Sequence, residues 1–438
     1  MPPFAGLLLY GSSLTAWFQK DDFAWLQLRD LLAQGKSIWW ILFEPLAQGT
    51  VRTLSERLFF LSFYEFFGLH AFPYHLAGLL TFLIAVTLLQ SVAEKLTGSR
   101  AAGFWSAMLW VVNAAVATPV AWISGMNEVM FAAFFLLDLW LLLRWLETGE
   151  NRYFAAQCAT FLLGFGVIEL NAVYPAVALL VVWIRKRNQI WKVASLIPIS
   201  AIFAMVHLLV APVQGAGPYR MYFDPRIAST LITYINWALG TGWLRLVGLN
   251  SFALRIVLAV PIALGLLFFL LINRRDRTIL LFPAIFLIVL APLLPLRDHM
   301  EYEYLTVPVI GLAMWGGWAV AAGVRRIAIP LALVYFAVSI PIGHVLVTQY
   351  NTRSARLKNV FEAVQALHPT RMLIVKGAGQ ETFDDMLYHR ALNLIGIREV
   401  YLDSTDPFHA GFSIDAESEK RAIDEGRAAI LDISQMRR

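Results

Sequence analysis

Long apolar runs, broken by short polar stretches, organise the first 350 residues. A bilayer crossing needs about 20 apolar residues in a helix. Runs of that kind lie near 3–18, 72–93, 101–119, 122–143, 153–170, 171–184, 192–211, 252–272, 278–295, 304–323 and 327–347, and they predict about eleven transmembrane helices. Three of the runs are short for a crossing. The first begins almost at Met1 without a basic flank, which points to a start codon further upstream. It lacks the charged leading segment and small-residue cleavage site of a secretory signal. The fifth and sixth runs meet at Glu169-Leu170-Asn171, a turn expected to be buried.

After residue 350 the pattern changes to that of a soluble chain. Arg353–Leu367 reads as an amphipathic helix, Met372–Lys376 and Glu399–Leu402 as strands with a helix over Thr382–Leu394 between them, and Ala428–Ile433 as a third strand. The expectation is an all-α polytopic membrane protein with a small C-terminal α/β domain. The boundaries are 1–350 for the membrane part, with a long first outer loop at 19–71 and a second at 212–251 opening on Gly215, Gly217 and Pro218, and 351–438 for the tail. The segment 226–248, with Tyr234, Asn236, Trp237, Trp243 and Arg245, suits a helix lying at the interface.

Composition agrees. Hydrophobic residues make up 59% and charged residues 15%, where a soluble domain carries about a quarter charged. That excludes a soluble enzyme, a disordered chain and a fibrous repeat. The net charge of +5 reflects where the charges sit and is no nucleic-acid footprint. Lys95, Arg100, Arg144, Arg152, Arg185, Lys186, Arg187, Arg274, Arg275, Arg277, Arg325 and Arg326 fall in one alternate set of loops, and most loop carboxylates fall in the other. The positive-inside rule then places the N-terminus in the cytoplasm and the C-terminus outside, in a multi-pass plasma (inner) membrane protein. The single cysteine, Cys158, permits no intrachain disulfide and no cysteine-based metal site.

The strongest chemical signal is Gln19-Lys20-Asp21-Asp22-Phe23, two adjacent acids just beyond the first run, followed by Trp25, Trp39 and Trp40. Acids at the bilayer edge are costly unless paired, hydrated or used. Neighbouring residues do not share a helix face, so the two aspartates take different jobs: one faces a cavity as a general base, the other caps the next helix. Solvated capping of both is the plainer alternative. Group transfer to a hydroxyl would need such a carboxylate, and cations where negative charge develops. The outer side offers Arg52, Arg220, Arg226, Arg297 and His299.

Further elements follow in order: Glu44-Pro45-Leu46, Thr50-Val51-Arg52, Phe67-Gly68-Leu69 with Pro73-Tyr74-His75-Leu76, and Trp122-Ile123-Ser124-Gly125-Met126-Asn127-Glu128. With the Asp pair, this series resembles the GT-C superfamily of integral-membrane glycosyltransferases, and most of all its protein O-mannosyltransferase-like bacterial branch. The motifs lie within about 18–130, and hydropathy extends the likeness to about 350. Two positions depart from it. The family's Arg-Pro stands here as Arg52-Thr53, and its Arg-Tyr-x-Tyr-x-Pro element as Glu303-Tyr304-Leu305-Thr306-Val307-Pro308, so that Arg297 or His299 would have to replace the arginine.

The resemblance implies inverting transfer of a sugar from a polyprenyl-phosphate donor to a protein, lipid or glycan acceptor on the outer face. An acid of the first outer loop would be the base, Asp22 being preferred over Asp21. Some members use a divalent metal, so Mg or Mn held by Asp21, Asp22 and Glu44 is an option. Glu44, Asn127, Glu169 and Tyr304 are expected as acceptor-contacting or structural polar residues. Elsewhere, structural roles are expected: a helix-entry role for Glu128, a helix contact for His207, a structural role for His75, a tight strand–helix turn at Lys376-Gly377-Ala378-Gly379 and solvated positions for Asp384 and Asp385. Asp138, mid-span, is a functional candidate. The competing readings are a transporter or flippase of a lipid-linked solute, and a non-catalytic scaffold of the same fold.

Overall fold

A computed structural model describes residues 1–45, 50–210, 217, 219–323, 325–367, 372–403 and 411–434. Leu46, Gly215 and Pro218 of the motifs above lie outside the described residues. Every expected apolar run carries helix, but not always as one piece. Among the described residues, five helices are long and apolar enough to cross a bilayer: Ala71–Thr97, Met126–Thr148, Arg187–Val210, Phe252–Ile272 and Arg326–Leu367. Thr278–Leu293 and Pro308–Ala322 are apolar and shorter. The first run is only a nine-residue helix, Pro2–Tyr10, and a 3-10 turn.

The run at 101–119 bends by 60° between Arg100–Val111 and Ala114–Ala121. Asn113 causes the break. Its side-chain oxygen accepts the Ala115 N–H at 2.9 Å, which replaces a helical bond. Its amide donates to the Tyr335 hydroxyl at 2.7 Å and the Ala238 carbonyl at 3.0 Å, which anchors the bend to two other elements.

Glycines set how closely the bundle packs. A Cβ on Gly317 would lie 2.7 Å from Ser106 Cα and closer still to its backbone N, and one on Gly311 would lie 2.5 Å from the Phe282 carbonyl oxygen. Both clashes are with backbone, which cannot give way cheaply. Gly317→Ala is therefore expected to destabilise the bundle by about 1–3 kcal/mol, measured as a lower melting temperature in detergent.

At one end of the bundle the basic loops gather. Lys95 Nζ pairs with Glu147 at 2.8 Å, Arg185 donates to the Leu96 carbonyl, and Lys186 Nζ donates to the Leu146 carbonyl at 3.2 Å. At the other end lie the first long loop, 19–71, and the tail. A single helix, Arg325–Leu367, joins the bundle to the tail without a break. At 1.5 Å per residue its 43 residues measure about 65 Å, roughly twice a hydrocarbon core.

The tail sheet has three parallel strands: β1 (Met372–Lys376), β2 (Glu399–Leu402) and β3 (Ala428–Asp432), in the order β2-β1-β3. The central strand β1 is buried along Leu373-Ile374-Val375, as a parallel strand covered on both faces must be. The helix expected over Thr382–Leu394 is three short pieces, Gln380–Phe383, Asp384–Tyr388 and Ala391–Ile395, interrupted at Arg390, which adopts φ 54°. The tail shares its core with the first loop: Trp17, Phe18, Phe23, Phe361, Val364, Leu373 and Phe383 form one apolar cluster. The Trp17–Phe361 and Phe18–Tyr74 ring pairs, 5.0 and 5.1 Å between centroids, each add about 0.5–1.5 kcal/mol beyond area burial.

Candidate active site

The two aspartates part company, as their spacing requires. Lys20 turns the chain with a left-handed φ of 52°, and Asp22 then opens the helix Asp22–Leu26. Asp22 is fully buried. One of its oxygens accepts the Ser124 N–H at 2.8 Å and the Ser124 O–H at 2.5 Å, and the other accepts the Gln19 N–H at 3.0 Å. The Trp-x-Ser-Gly element thus clamps the first loop. Burial pushes Asp22 up to about 7, against the pull of these hydrogen bonds. Asp21 instead lines a large cavity, half-exposed, with its Oδ1 3.3 Å from His389 Nδ1. Asp22, preferred as base from the sequence, is buried against Ser124 and Gln19, and Asp21 is the acid that lines the cavity.

A carboxylate whose folded pKa lies above its unfolded value binds a proton earlier in the folded state, so the stability it contributes is present at low pH and lost as pH rises. Glu303 is also pushed up to about 7, by burial first and Glu301 second. The melting temperature is therefore expected to fall as pH climbs from about 4 to about 7, and Asp22→Asn is expected to flatten that slope.

The cavity encloses about 1320 Å³. Its walls come from the first loop (Lys20, Asp21, Arg52, Glu56), the segment Trp122 to Glu128, the Glu169 turn, the 292–304 stretch (His299, Glu301, Glu303, Tyr304) and the tail (Tyr388, His389, Arg390, Arg398). Arg52 sits between two acids: Nε donates to both Glu169 oxygens at 3.1 and 3.2 Å, and Nη1 to Glu56 at 2.8 Å. Burial works against its charge, but Glu169 and Glu56 outweigh it and hold the guanidinium above its ordinary pKa. Asn127 reaches the same Glu56 oxygen at 3.4 Å. Lys20 Nζ donates to the Tyr350 hydroxyl at 3.3 Å and lies over the Trp122 ring at 4.8 Å and the Tyr350 ring at 5.0 Å.

Of the expected phosphate-binding set, Arg52 and His299 reach the cavity. Arg220, Arg226 and Arg297 do not line it. They gather around Tyr222 and Asp224: Arg226 pairs with Asp224 at 2.7 Å, Arg297 with Asp224 at 3.4 Å, and the guanidinium of Arg297 lies 3.7 Å from the Tyr222 ring centroid. Asn127, Glu169 and Tyr304 line the cavity, while Glu44, at the end of the helix Ile38–Phe43, does not. Among the described residues no three His, Cys, Asp or Glu side chains come together as a metal-binding group. Of the three acids considered from sequence for an ion, Asp21 lines the cavity, Asp22 accepts N–H and O–H donors, and Glu44 does not line the cavity.

His207 stacks on Phe203, 6.1 Å between ring centroids, and reaches the cavity wall. Asp138 is fully buried, and among the described residues its two oxygens have no hydrogen-bond partner. His75 is buried in the helix Ala71–Thr97, and Gly377 (φ 71°) turns β1 into the following helix. Asp385, expected to be solvated, is fully buried because Lys20 and Arg353 donate to it. Sequence reasoning also missed Lys20 as a cavity cation, although it is the cation inside the Asp-Asp motif, and it missed His389, which carries no sequence signal.

No protein-family model matches the chain, and no curated protein matches it. Solved structures do. The crystal structure of ArnT from Cupriavidus metallidurans bound to undecaprenyl phosphate matches with a TM-score of 0.50 at 13% identity, over 98% of this chain and 88% of that one. The apo state of the same protein matches with a TM-score of 0.51 at 13% identity, over 97% and 91%. The chain therefore shares its overall fold with that protein over 97–98% of its length. Nothing in these matches favours the O-mannosyltransferase-like branch.

Proposed function

We propose that the chain is a membrane glycosyltransferase that moves a sugar from a polyprenyl-phosphate carrier to an acceptor hydroxyl bound in this cavity. The observation that carries the reading is the cavity itself: Asp21, an accessible carboxylate, faces it together with Lys20, Arg52 and His299. The shared fold with a protein captured on undecaprenyl phosphate supports it.

In this reading Asp21 accepts the proton of the acceptor hydroxyl. The acceptor oxygen bonds to the anomeric carbon as the carbon–oxygen bond to phosphate breaks, which inverts configuration. Charge gathers on the leaving phosphate; Lys20, which like Arg390 and Arg398 lines the cavity and makes no carboxylate ion pair among the described residues, is the cation adjacent to Asp21 and takes that charge. Arg52 is already shared between Glu56 and Glu169, so its first task is to hold the cavity wall. Asp22 and Ser124 fix the loop that presents Asp21. The acceptor is a protein, a lipid or a glycan. The basic end of the bundle lies in the cytoplasm and the cavity opens outside, in an integral inner-membrane protein.

Native mass spectrometry tests the reading. The purified protein, offered undecaprenyl phosphate in detergent, is expected to retain one carrier per chain, and Lys20→Ala to weaken retention. A wild-type protein that retains none overturns it.

A further inference from the structure

The tail grips the first loop on both sides of Asp21. Asp385 accepts the Lys20 N–H at 2.6 Å on one oxygen and Arg353 Nε and Nη2 at 3.0 and 2.8 Å on the other. The peptide just ahead of Asp21, in its left-handed turn, is thereby held by a buried ion pair 365 residues away. One turn further along the tail, His389 Nδ1 lies 3.3 Å from Asp21 Oδ1. The His389 carbonyl accepts Gln27 Nε2 at 3.0 Å, and the Gln27 oxygen accepts Asn393 Nδ2 at 3.0 Å, so the histidine's backbone is tied to the same loop.

We propose that His389 is a positioning residue for the transfer reaction. Its Nδ1–H donates to Asp21 Oδ1 and leaves Oδ2 for the acceptor hydroxyl, while the Asp385–Arg353 pair holds the Lys20 backbone so that this geometry exists only with the tail docked. The inference rests on Asp21 as the base. A carboxylate free to rotate would present either oxygen in many directions. One oxygen fixed by a ring nitrogen presents the other in one, and catalytic rates depend steeply on such orientation. The tail is then part of the reaction machinery and not only a lid over it.

Two measurements on the full-length protein decide the matter. The first uses undecaprenyl-phosphate-linked radiolabelled hexose and pentose and reads label leaving the lipid. His389→Ala is expected to lower kcat about tenfold or more with KM nearly unchanged. His389→Asn, whose side-chain amide can occupy the Nδ1 donor position, is expected to restore most of it, with both variants melting as the wild type does. A wild-type kcat in His389→Ala, a loss confined to KM, or no rescue by asparagine overturns the role of His389. If Asp21→Asn keeps full rate, or the wild type releases no label, the reading of Asp21 as base fails instead. The second measurement needs no substrate: hydrogen exchange over residues 17–27. Asp385→Asn is expected to deprotect the Lys20 amide at least about tenfold, and unchanged protection overturns the docking half of the proposal.

Discussion

Asp21→Asn is expected to fold and melt as the wild type does while losing about 10² to 10⁴ of its transfer rate. The side chain is half-exposed and its neighbour across the cavity is His389, so the amide fits where the carboxylate was. An amide cannot accept the hydroxyl proton, so the loss falls on kcat, and KM for the carrier stays close to the wild-type value. Asp22→Asn behaves differently. Its oxygens hold the Ser124 and Gln19 donors inside the protein, so the substitution acts on stability and loop position first. The pair thus separates by readout: sugar release from a polyprenyl-phosphate donor falls in Asp21→Asn at constant melting temperature, whereas the Asp22 variant changes in the melting curve. Equal activity in Asp21→Asn and wild type would remove the base from the mechanism.

Arg52→Leu is expected to cost about 3–5 kcal/mol of stability. The guanidinium bridges Glu56, which is buried, and Glu169. Removing it leaves two carboxylates facing each other with Glu128 in the same wall. Charges so exposed to one another can escape only by protonation, so the loss is expected to be smaller at pH 5 than at pH 8. Glu169→Gln in the same chain is expected to recover part of it. Thermal melting in detergent across that pH range checks both statements. A variant as stable as the wild type at pH 8 would mean that the bridge contributes little.

Much of this was legible in the sequence, for identifiable reasons. Apolar runs report helices because their pattern is local, and the three tail strands show as short β-branched segments with punctuation. The division of labour between Asp21 and Asp22 follows from their adjacency. Which acid takes which job does not, because it depends on Ser124, a residue 102 positions away. The same limit hid Asp385: two neighbouring acids in a helical stretch read as solvated until Arg353 and Lys20 are brought to them. Arginines on the outer side looked interchangeable as phosphate ligands. Asp224 and Tyr222 divert three of them into a cluster of their own, and only folding reveals that.

The helix Arg325–Leu367 has a mechanical consequence. It runs unbroken from the apolar bundle to Leu367, and Ser354 Oγ on it accepts the Trp17 N–H at 3.0 Å. That contact pins the tail end of the strut against the first loop. In the proposed reaction, exchange of cargo would then run sideways, through gaps between the loops at this end, with the pinned roof in place.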